Sequence, residues 1–209
     1  MTPKRAFILV LSIGLLWAVA DQWTKYLAVR DLTRLFPEES GLVERVKLFY
    51  TVHDLRRMAT PPVEVVPGVW NHVYVQNPAG AFGMLSGVPD GPRRLIFTLV
   101  ALLASLGILY MATQHHGKGM LPTQLGLALV FGGAVGNLID RIVHGYVIDF
   151  IDWYVTIGGS ARHWPAFNIA DVGIVVGVFG LFFLLNFGPA PATQAGEGAS
   201  ESKERAETG

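Results

Sequence analysis

The sequence predicts an all-α integral membrane protein with four transmembrane helices and a small β-rich segment outside the membrane between the first two helices. Three observations lead to this fold class. Hydrophobic residues make up 51% of the 209 residues and charged residues only 15%, whereas soluble domains carry about 25% charge. Four apolar runs are separated by polar segments. The first of these segments is too long to be a simple connector.

The four apolar runs cover residues 7–29, 95–111, 121–143 and 169–187. A helix that crosses the hydrocarbon core needs about 20 mostly apolar residues. Because backbone groups in hydrocarbon must bond to one another, each run is predicted to be a helix. We therefore predict a membrane domain over residues 1–188. The tail over residues 189–209 is rich in Pro, Ala, Gly, Ser and Glu and is predicted to be disordered.

The first run has a second interpretation. Lys4 and Arg5, the apolar stretch after them and Ala18-Val19-Ala20 also resemble a secretory signal with an A-x-A cleavage site. Against cleavage, Trp23 and Tyr26 continue the apolar pattern beyond the supposed cut. A membrane-spanning helix is therefore the preferred prediction.

Residues 30–94 are predicted to form the small β-rich domain at the membrane surface. Residues 69–76 show a period of two, which indicates a strand. The two alternating sets are Val69, Asn71, Val73 and Val75, and Trp70, His72, Tyr74 and Gln76. A similar alternation at Val46, Leu48, Tyr50 and Val52 suggests a second strand.

Composition excludes several classes of function. Sixteen basic residues are balanced by sixteen acidic ones, so no basic excess points to nucleic acid. Without cysteine there is no disulfide, no thiolate nucleophile and no cysteine metal site. We expect neither a nucleic acid partner nor a cofactor.

Polar residues of the predicted helices gather on one side of the membrane. Four antiparallel crossings place the ends of the first and third helices on the same side as the starts of the second and fourth. The polar residues at these ends are Asp21, Gln22, Lys25, Asn137, Asp140, Arg141, Asn168 and Asp171. Carboxylates in membrane-spanning segments are costly and therefore indicate function.

Asp140 and Asp171 are the predicted reactive pair. Asp140 lies three residues before the third run ends and Asp171 two residues after the fourth begins, so both sit roughly 3–5 Å inside the boundary. If these helices are neighbours, the two acids face each other, and Gly132, Gly133 and Gly136 allow close approach. Two such carboxylates share a proton, so that one activates water while the other polarises a carbonyl, as in aspartic proteases.

Other interpretations are open at this point. Asn168 and Asp171 are spaced like a capping-box variant, and Asp140 could form an interfacial ion pair with Arg141. The same acids would suit a small proton- or cation-coupled transporter or channel, although transport sites usually lie near the midplane. A third possibility is a hard-cation site built from Asp140, Asp149, Asp152 and Asp171.

Five sequence blocks occur in order among the four runs. They are residues 21–25 (DQWTK), 76–83 (QNPAGAFG), 136–141 (GNLIDR), 147–152 (VIDFID) and 167–171 (FNIAD). Each block is short, but together they resemble the bacterial lipoprotein signal peptidases, the signal peptidase II family.

This resemblance implies a multi-pass aspartic endopeptidase of the bacterial inner membrane, with both chain ends in the cytoplasm. Its β-rich segment between helices 1 and 2 is then extracytoplasmic, and its active site lies near the periplasmic face. Such enzymes cleave prolipoproteins before a cysteine that carries a diacylglyceryl group, and globomycin-type cyclic peptides inhibit them. We expect a monomer in contact with membrane lipids and without a metal ion.

The family's functional positions carry over to this sequence block by block. The catalytic pair is assigned to Asp140 and Asp171. The substrate-binding positions are assigned to Asp21, Lys25, Asn77, Gly80, Phe82, Asn137, Arg141 and Asn168. Gly80 and Gly83 on either side of Phe82 suggest a lid over the substrate.

Two features depart from the family pattern. In the block around Asn77, Gly and Ala are exchanged, so its flexible turn is expected one residue later. The segment between Lys25 and Asn77 is also longer than usual. Charge does not choose the orientation, because residues 30–94 alone hold eight Lys and Arg.

Overall fold

The computed structural model describes residues 1–78, 80, 85, 87–117 and 120–187. Within them the elements are, in chain order, α1 (Pro3–Leu32), α2 (Leu42–Thr51), a 3₁₀ turn (Arg56–Met58), β1 (Val63–Val66), β2 (Trp70–Asn77), α3 (Asp90–Gln114), α4 (Leu121–Val143), β3 (Val147–Ile157), β4 (Ser160–His163) and α5 (Ile169–Phe187). The tail predicted to be disordered, residues 189–209, lies outside the described residues.

Four of these helices, α1, α3, α4 and α5, are long and apolar enough to cross a membrane. The predicted bounds of the third and fourth runs match α4 and α5, whereas α1 and α3 extend beyond the first and second runs at both ends. At the start of α1, the Thr2 hydroxyl accepts a hydrogen bond from the Arg5 backbone N–H. Thr2 is therefore the N-cap of the helix, and Pro3 fits its first turn.

The central helix is α4, which packs against α1, α3 and α5. Its glycines permit this packing. A Cβ added to Gly132 would overlap the Gly14 carbonyl of α1, and one added to Gly133 would overlap the Ala170 carbonyl of α5. The close approach predicted from these glycines is confirmed. The faces turned away from α4 expose large apolar residues such as Leu16 and Leu103, a surface suited to lipid.

A four-stranded antiparallel sheet of order β1-β2-β3-β4 closes one end of the helix bundle. The strand predicted at 69–76 corresponds to β2. The sheet, however, is not confined to the segment between the first two membrane helices, because β3 and β4 connect α4 to α5. This corrects the predicted location of the β-rich segment: two connecting segments build it together.

The strand suggested by Val46, Leu48, Tyr50 and Val52 is wrong, because these residues belong to α2 and its C-cap. The helix forms because it buries Phe49 at the end of the bundle. The Phe49 ring lies 5.8 Å from that of Tyr26 on α1 and 5.3 Å from that of His144, which follows α4.

Candidate active site

The polar residues predicted to converge do so where α1 and α4 end, α5 begins and the sheet covers the bundle. They form two connected clusters. The first, which we call the lysine cluster, consists of Asp21, Gln22, Lys25 and Asp140. The second, the asparagine cluster, consists of Asn77, Asn137, Asp149, Asn168 and Asp171.

Lys25 is the centre of the lysine cluster and is fully buried. Its Nζ lies 2.8 Å from Asp21 Oδ2 and 2.8 Å from Asp140 Oδ2. It also donates a hydrogen bond of 3.0 Å to Asn137 Oδ1. All three protons of the ammonium group therefore have partners.

Asp140 is also fully buried, and both of its oxygens are bound. Oδ1 accepts from Gln22 Nε2 at 2.7 Å, while Oδ2 accepts from the Ile148 backbone N–H at 2.9 Å in addition to the contact with Lys25. This corrects the expected pairing of Asp140 with Asp171: α4 and α5 are neighbours, but Asp140 is directed at α1. Three residues correspond to roughly 300° around a helix, so Asp140 points about 60° away from Asn137.

Asp21 and Arg141, which lie next to this cluster or in it, also have defined hydrogen-bond partners. Asp21 Oδ1 accepts from the Ala170 backbone N–H at 2.9 Å and thus ties α1 to the start of α5. Arg141 donates to the Asn137 carbonyl at 3.2 Å and lies over the Phe97 ring, 5.1 Å from its centroid. These contacts replace the interfacial ion pair considered for Asp140 and Arg141.

In the asparagine cluster, Asn168 and Asp171 form the capping-box variant suggested by their spacing. Asp171 Oδ2 accepts from the Asn168 backbone N–H at 3.1 Å, and Asn168 Oδ1 accepts from the Asp171 N–H at 3.0 Å. The remaining oxygen of Asp171, Oδ1, accepts from Asn137 Nδ2 at 2.9 Å. The position of the carboxylate is therefore fixed by both helices.

Asp149 is the second carboxylate of this cluster. It lies on β3, is 1% exposed, and accepts from Asn168 Nδ2 at 2.7 Å and from Asn77 Nδ2 at 2.8 Å. Asn168 thus bonds to both acids. Burial, followed by the negative charge of Asp171, raises the pKa of Asp149 to about 7. The sequence suggests Asp149 only as a cation ligand, although the block at 147–152 contains it.

A cavity of about 720 Å³ opens beside the asparagine cluster. Its polar lining is Asn77, Asn137, Arg141, Asp149 and Asp171, and its apolar lining includes Trp153, Trp164, Phe167, Val172, Val175 and Val176. Asp21, Lys25 and Asp140 are not among the lining residues. The cavity therefore meets the second cluster of acids and not the first.

Gly80 also lines the cavity and has a φ of 70°. A Cβ at this position would lie 2.9 Å from Phe97 Cζ, so both conformation and space require glycine. Phe82 and Gly83, which were predicted to form part of a lid, lie outside the described residues.

Within the described part of the chain, no group of three or more His, Asp or Glu side chains is arranged to hold a metal ion. The cation site considered for Asp140, Asp149, Asp152 and Asp171 therefore has no support. Asp152 instead lies 2.9 Å from His163 Nδ1 and accepts a hydrogen bond from Asn71.

A family profile and full-length relatives both point to the same protein family. A profile described as "Signal peptidase (SPase) II" matches residues 13–187. A lipoprotein signal peptidase of Anaeromyxobacter sp. (strain Fw109-5) is 41% identical over 215 residues, which is 100% of both chains. One from Xanthomonas euvesicatoria pv. vesicatoria (strain 85-10) is 36% identical over 185 residues, 86% of this chain and 90% of that relative.

A solved structure supports the same grouping. It is described as "Bacterial membrane enzyme structure by the in meso method at 2.3 A resolution", and it is 25% identical with a TM-score of 0.58. The match covers 90% of this chain and 93% of that one. The profile, the full-length relatives and this fold agree, and the chain belongs to the signal peptidase II family.

Proposed function

We propose that the protein is an aspartic endopeptidase that removes signal peptides from prolipoproteins, cutting before the cysteine that carries a diacylglyceryl group. One observation carries this proposal: two carboxylates joined by one asparagine lie at the polar end of an otherwise apolar cavity. The transporter alternative is not supported, because the described acidic residues of the spans, among them Asp21, Asp140 and Asp171, lie at one end of the bundle and not at its middle.

For the catalytic pair we propose Asp149 and Asp171, with Asp140 in a structural role. Asp149 and Asp171 line the cavity, whereas Asp140 does not. Both oxygens of Asp140 are bound, and Lys25 neutralises its charge. A raised pKa leaves Asp149 protonated near neutral pH beside Asp171, which is the arrangement that a proton-sharing pair needs.

In the proposed reaction, the Asp171 carboxylate takes a proton from a water molecule while the water oxygen attacks the scissile carbonyl carbon. The proton of Asp149 passes to the carbonyl oxygen and stabilises the tetrahedral intermediate. When the C–N bond breaks, the proton held by Asp171 goes to the leaving amine, and the intermediate returns a proton to Asp149. Asn168 and Asn137 hold the two acids in place throughout.

The cavity also suits a lipid-modified substrate. Its apolar wall includes Val175 and Val176, which α5 turns outward, so the acyl chains of a diacylglyceryl cysteine have an apolar path from the bilayer. Each CH₂ kept in apolar surroundings contributes about 0.8 kcal/mol. Asn77, Gly80 and Arg141 border the same space and would contact the substrate near its polar part.

The remaining expectations belong to the same proposal. We expect the enzyme in the bacterial inner membrane, with the sheet and cavity toward the periplasm. Globomycin-type cyclic peptides would occupy the cavity and compete with substrate. We expect the enzyme to act as a monomer.

The test is incubation of the purified protein with a diacylglyceryl-modified prolipoprotein and with the same protein unmodified. We expect release of the signal peptide from the modified form, a far slower reaction with the unmodified form, and full activity in the presence of a chelator. Absence of cleavage by a folded enzyme would refute the function. Equal rates on both substrates would refute only the role of the lipid.

A further inference from the structure

A second cavity lies on the opposite side of α4 from the proposed active site. It has a volume of about 350 Å³ and is formed by α1, α2 and α4. On α4 it is lined by Val135 and Ile139, two residues before Asn137 and Arg141 of the active-site cavity. Two residues correspond to roughly 200° around a helix, so the two cavities lie on opposite faces of α4. We call the second cavity the α1–α2 groove.

The length of the α1–α2 groove matches one leaflet of a bilayer. Along α1 it extends from Leu15 to Tyr26, which is about 16 Å at 1.5 Å per residue. The hydrocarbon core is about 30 Å thick, so a leaflet contributes about 15 Å. The groove begins at α2, at the end of the bundle that carries the sheet, and runs toward the middle of the membrane.

The lining of the groove is open to the lipid phase. Val19 of α1 is 66% exposed and Trp23 is 53% exposed, and both line it. The roof comes from Val46 and Tyr50 of α2, which share an exposed apolar stripe with Val43. A short helix with such a stripe, lying across the end of a membrane bundle, is suited to the interface between headgroups and acyl chains.

We propose that the α1–α2 groove binds one acyl chain of a bilayer phospholipid, with the headgroup at the level of α2. The position of Gln22 gives this lipid a structural consequence. Gln22 lines the groove, and its Nε2 donates to Asp140 and to the Gly136 carbonyl on the other side. Gln22 therefore lies between the groove and the buried charges of Asp140 and Lys25, and a bound acyl chain keeps water away from those charges.

The first experiment locates the lipid directly. The protein is placed in nanodiscs that contain a phospholipid with a photoactivatable group in the middle of its acyl chain, and labelled residues are mapped by mass spectrometry. We expect labelling of Leu15 and Val19 to exceed severalfold the labelling of Leu103, which faces lipid on α3 and lines neither of the two cavities. Equal labelling of Leu103 and the groove residues would overturn the proposal.

The second experiment uses two matched variants. Val19 and Leu103 are both 66% exposed, so the two positions are comparable. Because only Val19 lines the groove, Val19→Trp fills it, whereas Leu103→Trp adds the same ring to the face of α3. Native mass spectrometry after purification in mild detergent should show one phospholipid fewer on Val19→Trp and no change on Leu103→Trp. Equal retention by both variants would overturn the proposal, and the labelling experiment decides the matter if Val19→Trp fails to fold. Neither measurement depends on proteolytic activity.

Discussion

The lysine cluster and the asparagine cluster lie side by side and use similar residues, yet their acids are held in opposite ways. In the first, a fully buried ammonium group contacts both Asp21 and Asp140. In the second, amides hold Asp149 and Asp171 without neutralising them. A cation stabilises the charged form of an acid, whereas burial beside another acid favours a retained proton. The chemistry open to each pair of acids therefore depends on the group that holds it, which is an ammonium group in the first cluster and a set of amides in the second.

The largest difference between the clusters is expected from Asp171→Asn and Asp149→Asn. Each change should lower turnover of lipid-modified prolipoprotein by roughly 10⁴- to 10⁶-fold, because an amide can neither accept nor share the proton. Thermal unfolding, which serves as the control, should shift less than in Asp140→Asn, because neither change leaves a buried cation without its counter-charge. A variant that keeps a substantial fraction of activity would remove that residue from the pair.

Asp140→Asn should instead act on stability. The new amide removes the negative charge that balances Lys25, and it has one acceptor oxygen where Lys25, the Ile148 N–H and Gln22 now share two. Breaking a buried ion pair in this way costs about 3–5 kcal/mol, measured by thermal or denaturant unfolding in detergent. Turnover per folded molecule should fall far less than in Asp171→Asn. A stable Asp140→Asn protein as inactive as Asp171→Asn would reverse the roles proposed for the two clusters.

Asn168→Ala should have an intermediate effect on both properties. Loss of the hydrogen bond to the protonated Asp149 costs about 0.5–1.5 kcal/mol, which corresponds to about 2- to 13-fold in turnover. Loss of the helix cap costs about 1 kcal/mol of stability. Asn168→Ser separates the two, since serine can cap α5 but is too short to replace the amide bond to Asp149. If serine restores turnover as well as stability, Asn168 is only a cap.

The smallest effect concerns pH. Because the pKa of Asp149 is about 7 and the proposed reaction uses its protonated form, kcat/KM should fall roughly tenfold per pH unit above that value. The same shift affects stability with a definite sign. The folded state binds this proton more strongly than the unfolded state, so the contribution is complete below pH 3.8 and is lost as the pH rises to about 7. A flat kcat/KM between about pH 7 and 9 contradicts the assignment.

The sequence was sufficient for the features that follow from hydropathy and from the number of crossings. The bounds of α4 and α5 match the apolar runs because lipid imposes both length and composition on a span. The gathering of polar residues at one end follows from antiparallel order. The close packing through Gly132 and Gly133 also follows, since small residues on a membrane helix have few other uses.

The rotation of each helix could not be predicted. Depth places Asp140 and Asp171 at similar levels, but a 60° difference around α4 directs Asp140 at α1. β3 was missed because its first six residues are buried, so it lacks a simple alternation of apolar and polar residues. In α2, the strand-like alternation competed with a helical pattern, and burial of Phe49 favoured the helix.

The pairing of β2 with β3 has a consequence for biosynthesis. Val75 lies opposite Asp149, although two membrane helices are made between them, and Asp171 comes only with the last helix. At roughly 5–20 residues per second, the ribosome needs several seconds to pass from Asn77 to Asp171. Throughout that time the nascent chain lacks one acid and its cap. On the proposed assignment of Asp149 and Asp171, the nascent chain cannot cleave substrate until its final span has been synthesised.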